Sequence, residues 1–262
     1  MLRRRTAALF ALLLLASVLL AQRRFRSFDD EEDNPAPMPA DAAEKTEFQF
    51  GRLRYSSFRG GYRWGSWATD YPKADRQFLQ GLRRLSRIHT RSVEQVVDID
   101  NDEIYQYPWL YAVEVGRWEV SESQAARMRE YFNRGGFLMV DDFHGPYEWE
   151  VFASSMRRIF PDRQIVDIEN SDQVFHVLYD LVDRPQVPGI HTLWSGSTWE
   201  KGGIEPRWRG VYDDKGRLLV AICHNMDLGD AWEWADHPRY PERYASLAYR
   251  IALNYIIYSM SH

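Results

Sequence analysis

The sequence predicts an α/β domain built on a mainly parallel sheet with helices on both faces, a late β-hairpin and a closing helix. Three observations predict it. From residue 48 onward, short apolar runs alternate with stretches of helical periodicity. Two of those runs, FLMV at 137–140 and LLVAIC at 218–223, are apolar at every position, as strands covered on both faces are. Each of the two ends in a polar corner, and ligands of open α/β sheets sit at the carboxyl ends of strands.

The elements follow in order. FQFGRLRY (48–55) reads as a strand, and KADRQFLQGLRRLSRI (73–88) as a helix with Phe78, Leu79, Leu82 and Leu85 on one side. VEQVVDI (93–99) and WLYAVEV (109–115) read as strands. SESQAARMREYFNR (121–134) is a helix with Ser121 at its N-cap, closed by Gly135-Gly136. A buried strand at 137–142, a helix at 148–160 and a strand at 163–168 come next. Residues 210–223 form a hairpin turning at Asp214-Lys215-Gly216, and 241–260 the closing helix. No internal repeat is visible.

Residues 48–262 are thus one domain, preceded by two segments of different composition. Arg3, Arg4 and Arg5 are followed by the uncharged apolar stretch 6–21, the pattern of a signal peptide. As a helix that stretch spans ~24 Å, short for a bilayer core of ~30 Å. Cleavage after Ala21 is expected, although Leu19 is large for its place, which leaves an uncleaved membrane anchor as the alternative. No Cys follows the stretch to carry a lipid. Residues 22–47 hold the acidic run DDEED and a Pro-rich piece with few large apolar residues, the composition of a disordered tether. The expected location is therefore outside the cytoplasm, periplasmic or extracellular, with membrane contact only through the N-terminal segment.

The net charge of −5 argues against unspecific nucleic-acid binding, which relies on cationic contacts to phosphate. One Cys, Cys223, allows no intrachain disulfide and no multi-Cys zinc site, and its apolar run marks it as a small buried hydrophobe. No phosphate loop, GxGxxG or GxSxG occurs, which leaves ATP, dinucleotide and serine-hydrolase chemistry without support. Aromatic residues make up 15% of the chain, enough to serve either a Trp-rich core or a rim that stacks on sugars.

The strand-end corners are Asp141-Asp142-Phe143-His144-Gly145 and Cys223 through Asp230, followed by Trp232-Glu233-Trp234. Asp142, His144, His224 and Asp227 are the candidate catalytic residues. Two His and one or two carboxylates suit a divalent metal, with His144, His224 and Asp142 as ligands. The same groups suit metal-free acid/base work, a polar binding site or a structural network. Asp141 alternates away from Asp142 and is expected to cap a neighbouring helix. Arg54, Tyr62 and Trp64 around Gly60-Gly61, with Asp230 and Trp232, are the candidate ligand-binding residues, because arginine among aromatics grips anionic or sugar ligands. An amphipathic strand followed by a surface loop gives the same pattern.

The run NRGGFLMVDDFHG, the late run DDKGRLLVAICHNMDLGDAWEW and the opening FGRLRYSS…TDYPKADRQFLQGL resemble a bacterial family, domain of unknown function 4159, over residues 48–262. That family is similar to class I glutamine-amidotransferase-like domains, including the trehalose-utilisation group. The resemblance implies a flavodoxin-like three-layer fold, with the site reached through Gly135-Gly136 and the hairpin histidine at His224. A glutaminase also needs a Cys nucleophile at the turn after the strand. This chain has Asp141-Asp142-Phe143-His144 there, so glutaminase chemistry is not expected. The leading expectation is binding of a small polar ligand, a carbohydrate or envelope fragment, around His144 and His224. A metal-dependent hydrolase and a protein-interaction module of an envelope complex are the alternatives.

Overall fold

A computed structural model of the chain describes residues 37–57 and 67–262. The predicted export segment, most of the tether, Tyr62 and Trp64 lie outside the described residues. Seven strands form one sheet: β1 (Gly51–Arg54), β2 (Gln95–Asp98), β3 (Trp109–Val113), β4 (Phe137–Asp141), β5 (Val166–Asp167), β6 (Arg207–Tyr212) and β7 (Leu218–His224), in the order β2-β1-β3-β4-β7-β6-β5. The strands from β2 to β7 in that order pair in parallel, while β6 runs antiparallel to both its neighbours. The mainly parallel α/β fold is the one the sequence predicts.

Described helices are α1 (Lys73–Leu85), α2 (Glu122–Asn133), α3 (Gly145–Ile159), α4 (Ile190–Trp194), α5 (Leu228–Glu233) and α6 (Glu242–Ser261). They cover both faces, because every residue of β3, β4 and β7 is buried and alternate residues face opposite layers. Phe137 and Met139 pack with Phe78 of α1, Trp232 of α5 and Ile251 of α6. Leu138 and Val140 pack with Met128 of α2 and Phe152 of α3. Each such fully buried large side chain contributes about 1.5–3 kcal/mol of hydrophobic stabilisation.

Several boundaries differ from the sequence expectation for identifiable reasons. Helix α3 begins at Gly145 instead of residue 148, because Pro146 fits a first helical turn, where its missing N–H has no partner to lose. Leu85 is exposed, since α1 ends there and Ser86 closes it by donating to the Leu82 carbonyl. The strand expected at 163–168 pairs only over Val166–Asp167, as an edge on β6. Helices α4 and α5 are five and six residues long, too short to show a period. The end of the expected tether is tied to the domain: Asp41 accepts from the Ser92 amide and hydroxyl at 2.9 and 2.6 Å. No helix among the described residues is long and apolar enough to cross a membrane.

The chain runs from β1 outward to β2, then crosses back to β3 on the other side of β1. Such a reversal leaves a crevice at the carboxyl edge. The loops after β1, β3, β4 and β7 all open onto this edge.

Candidate functional site

The backbone at this edge is strained. Among the described residues, five non-glycine residues have positive φ: Asp70 (61°), Glu114 (52°), Asp142 (52°), Lys201 (50°) and Asn225 (66°). Asp70 lies in the loop after β1, Glu114 follows β3, Asp142 follows β4 and Asn225 follows β7. Lys201 reaches the same place, its carbonyl packed against Gly145. A left-handed residue costs about 1–2 kcal/mol for an L-amino acid, and such strain concentrates where a site is held in shape.

His144 is 3% exposed and stands at the N-cap of α3. Its amide donates to Glu148 Oε2 at 2.7 Å. Its Nε2 lies 3.2 Å from Asp142 Oδ1 and 3.7 Å from Glu200 Oε1. Its Nδ1 is buried without a hydrogen-bond partner. Lys201 Nζ is 3.0 Å from Glu148 Oε1 and 3.7 Å from Glu200 Oε2, and Arg117 Nε is 3.2 Å from Glu114 Oε2. Asp142, Glu200, Glu148 and Lys201 therefore gather around one histidine, and Arg117, 3.7 Å from Glu148 Oε1, extends the network to Glu114.

Burial pushes Asp142 well above the ordinary carboxyl range; Lys201 opposes this, while Glu200, Asp230 and Glu148 add to it. Burial also holds His144 below its ordinary value. Burial therefore disfavours the charged form of both Asp142 and His144, which brings a carboxyl and an imidazole closer in proton affinity than they are in water.

The hairpin histidine has different contacts. His224 packs against both Phe143 and Trp149 at ring distances of 4.8 and 4.9 Å. Its Nε2 is 3.2 Å from the Gly145 carbonyl, so Nε2 carries the hydrogen and donates it. Burial lowers it to about 4, and it is neutral. His224 thus meets the residue next to His144, fixing the first peptide of α3.

Asp227 caps α5, accepting from the Asp230 amide at 2.8 Å. Asp230 accepts from the Ile190 amide at 2.7 Å and from Trp234 Nε1 at 3.1 Å. Asp141 accepts from the Leu228 and Gly229 amides at 2.6 and 3.1 Å and from Tyr111 Oη at 3.1 Å. It therefore ties the start of α5 to β4, as its alternation predicts.

The four predicted catalytic residues accordingly occupy one edge in two halves. Asp142 and His144 touch in one half, with His224 behind them. Asp227 belongs to the other, with Asp230 and Asp70. Helix α4 bridges the halves: its Ile190 amide holds Asp230, and Thr192 Oγ1 donates to Glu200 Oε1 at 3.2 Å.

Of the predicted ligand-binding residues, Asp230 lies on this edge. Trp232 is fully buried against Phe78 and Tyr111, at 4.6 and 5.1 Å, and presents no surface to a ligand. It faces the sheet because it lies one helical turn from Leu228 on the buried side of α5. Arg54 is paired with Asp98 at 2.7 Å. Its neighbour Arg52 is buried and forks onto Asp75 at 2.7 and 2.9 Å, under the cover of Tyr111. Cys223 is buried beside Tyr255, and burial pushes its thiol well up, away from the reactive thiolate.

Sequence reasoning missed Asp70, Glu114, Glu148, Glu200 and Lys201. Glu114 ends an apolar strand run, a signal of the kind that marked Asp142. The segment containing Glu200 and Lys201 has no periodicity to place it, and only Gly202-Gly203 marks a sharp turn there.

No curated protein matches the chain. A family model described as "Domain of unknown function (DUF4159)" matches residues 49–260, which is nearly all of the α/β domain, and the chain belongs to that family.

Proposed function

We propose that this domain binds a small hydroxyl-rich ligand of the carbohydrate class at the carboxyl edge, with Asp142, His144 and Glu200 as its polar anchors. The observation that carries this reading is His144: a buried neutral imidazole bonded to Asp142, with Glu200 3.7 Å from the same nitrogen and Nδ1 without a hydrogen-bond partner in a strained corner. An aromatic pair on the other half of the same edge supports the ligand class. Trp194 is 43% exposed and meets Trp234 at 5.9 Å, and Trp234 is bonded to Asp230. Carboxylates that accept hydroxyls on an edge that also carries an exposed indole suit a sugar ring.

The expected result is saturation transfer in NMR from the protein to neutral disaccharides or to peptidoglycan disaccharide fragments. The signal should disappear in His144→Ala and Glu200→Gln variants that keep the wild-type circular dichroism. A folded wild-type chain giving no transfer to any of these sugars would overturn the proposal.

A second reading, hydrolysis by acid/base catalysis, is favoured by the opposite displacements of Asp142 and His144. The kinship with class I amidotransferase-like domains belongs to the same proposal, supported by Gly135-Gly136 before β4 and His224 on the hairpin. We also propose an exported location, on the Arg-rich start and apolar stretch of residues 1–21. Recovery of a tagged full-length chain wholly in the cytosol with that start intact would overturn it.

A further inference from the structure

The acidic half of the edge has chemistry that the His144 corner does not explain. One carboxylate oxygen each from Asp70, Asp227 and Asp230 lie within 4.8 Å of one another. Among the described residues, none of the three is ion-paired with Lys or Arg. The nearby Arg52 is committed to Asp75. The backbone donors beside them are committed too: the Leu228 and Gly229 amides to Asp141, and the Asp230 amide to Asp227.

Asp70 is the independent observation. Its Oδ2 is sealed from solvent and accepts no hydrogen bond. A buried, unpartnered carboxylate oxygen costs free energy until a proton or a cation meets it. The surrounding backbone is also drawn in against these oxygens. A Cβ at Gly189 would stand 2.5 Å from Asp227 Oδ2 and 3.0 Å from Asp230 Oδ2. A Cβ at Gly229 would stand 2.6 Å from Asp70 Oδ2. Two glycines thus let three anionic groups converge where side chains would keep them apart.

From this geometry we infer that Asp70, Asp227 and Asp230 form a divalent-cation site of the calcium class. The donor set is all oxygen, which selects a hard cation over zinc or copper. Ca²⁺ accepts an irregular set of oxygens at ~2.3–2.6 Å, whereas Mg²⁺ demands near-ideal octahedral geometry at ~2.1 Å and keeps its waters, so three carboxylates fixed by separate loops suit Ca²⁺ better. The cation joins the loop after β1 to the N-terminus of α5 and, through the Asp230–Ile190 bond, to α4.

Tb³⁺ is a luminescent stand-in for Ca²⁺, and Trp234, bonded to Asp230, is placed to sensitise it. The full-length chain, stripped with chelator, is titrated with Tb³⁺ and then competed with Ca²⁺ and Mg²⁺. The expected result is saturable sensitised emission at one equivalent, displaced by Ca²⁺ at lower concentration than by Mg²⁺. A rise in melting temperature on adding Ca²⁺ should accompany it. Asp70→Asn removes no hydrogen bond and should weaken Tb³⁺ affinity by about tenfold or more. Absence of both emission and thermal shift in the folded wild type would overturn the site, because the three acids would then hold protons instead. Emission retained in Asp70→Asn but lost in His144→Ala would also overturn it, by moving the cation to the other half. Sugar binding is read by a different signal and fails with His144, so the two proposals fail separately.

Discussion

Gly145 carries the tightest approach at the candidate site. It has φ of 70°, and a Cβ there would collide with the Lys201 carbonyl oxygen. Its amide donates to Asn225 Oδ1 at 2.9 Å, and its carbonyl accepts from His224. One residue therefore meets the β4 corner, the β7 corner and the loop carrying Glu200. Gly145→Ala adds a left-handed alanine and an overpacked contact, and should cost about 2–5 kcal/mol in urea unfolding. A loss under about 1 kcal/mol would show that the Lys201 loop moves aside without penalty.

At the scale of elements, helix α2 shows how far local sequence chemistry reaches. Ser121 Oγ accepts from the Gln124 amide at 3.2 Å, and the Gln124 side chain accepts from the Ser121 amide at 3.0 Å. This reciprocal capping box depends only on residues three apart. Ser121→Ala should lower stability by about 1 kcal/mol and the melting temperature by a few degrees, with the site unaffected. An unchanged melting curve would mean that packing of Met128 and Phe132 alone holds the helix start. Helix α5 is the contrast. Its first amides are satisfied by Asp141, 87 residues earlier. Asp227 caps it locally through the Asp230 amide, but no local pattern announces that its first two amides are met from another strand.

At the scale of the whole molecule, the carboxyl edge stores unfavourable charge. Burial, then repulsion from Asp142, raises Glu114 from 4.5 to about 8. Burial raises Asp141 from 3.8 to about 7 in the same sense. Between its two values the folded protein keeps a proton that the unfolded chain has released. Stability must therefore fall as pH rises through that window, by up to ~1.4 kcal/mol per pH unit for each such group, and level off above it. Glu114→Gln should flatten the decline between about pH 6 and 8 in urea unfolding measured across a pH series. Equal slopes for variant and wild type would place the proton elsewhere in the cluster.

The sequence by itself determined the α/β class, most strand and helix positions, the cap at Ser121 and the two polar corners. These rest on periodicity and on contacts between near neighbours, which a linear pattern records. Only the tertiary structure decided which groups meet. Asp142 and His144 are two residues apart, so their contact was within local reach. The pairing of His144 with Glu200, of His224 with the Gly145 carbonyl, and of Asp70 with Asp227 and Asp230 depends on parallel strands bringing distant loops to one edge. Trp232 and Asp230 sit two residues apart on α5, one in the core and one in the acidic cluster. Composition cannot separate them, because the direction a short helix faces is set by the sheet it lands on.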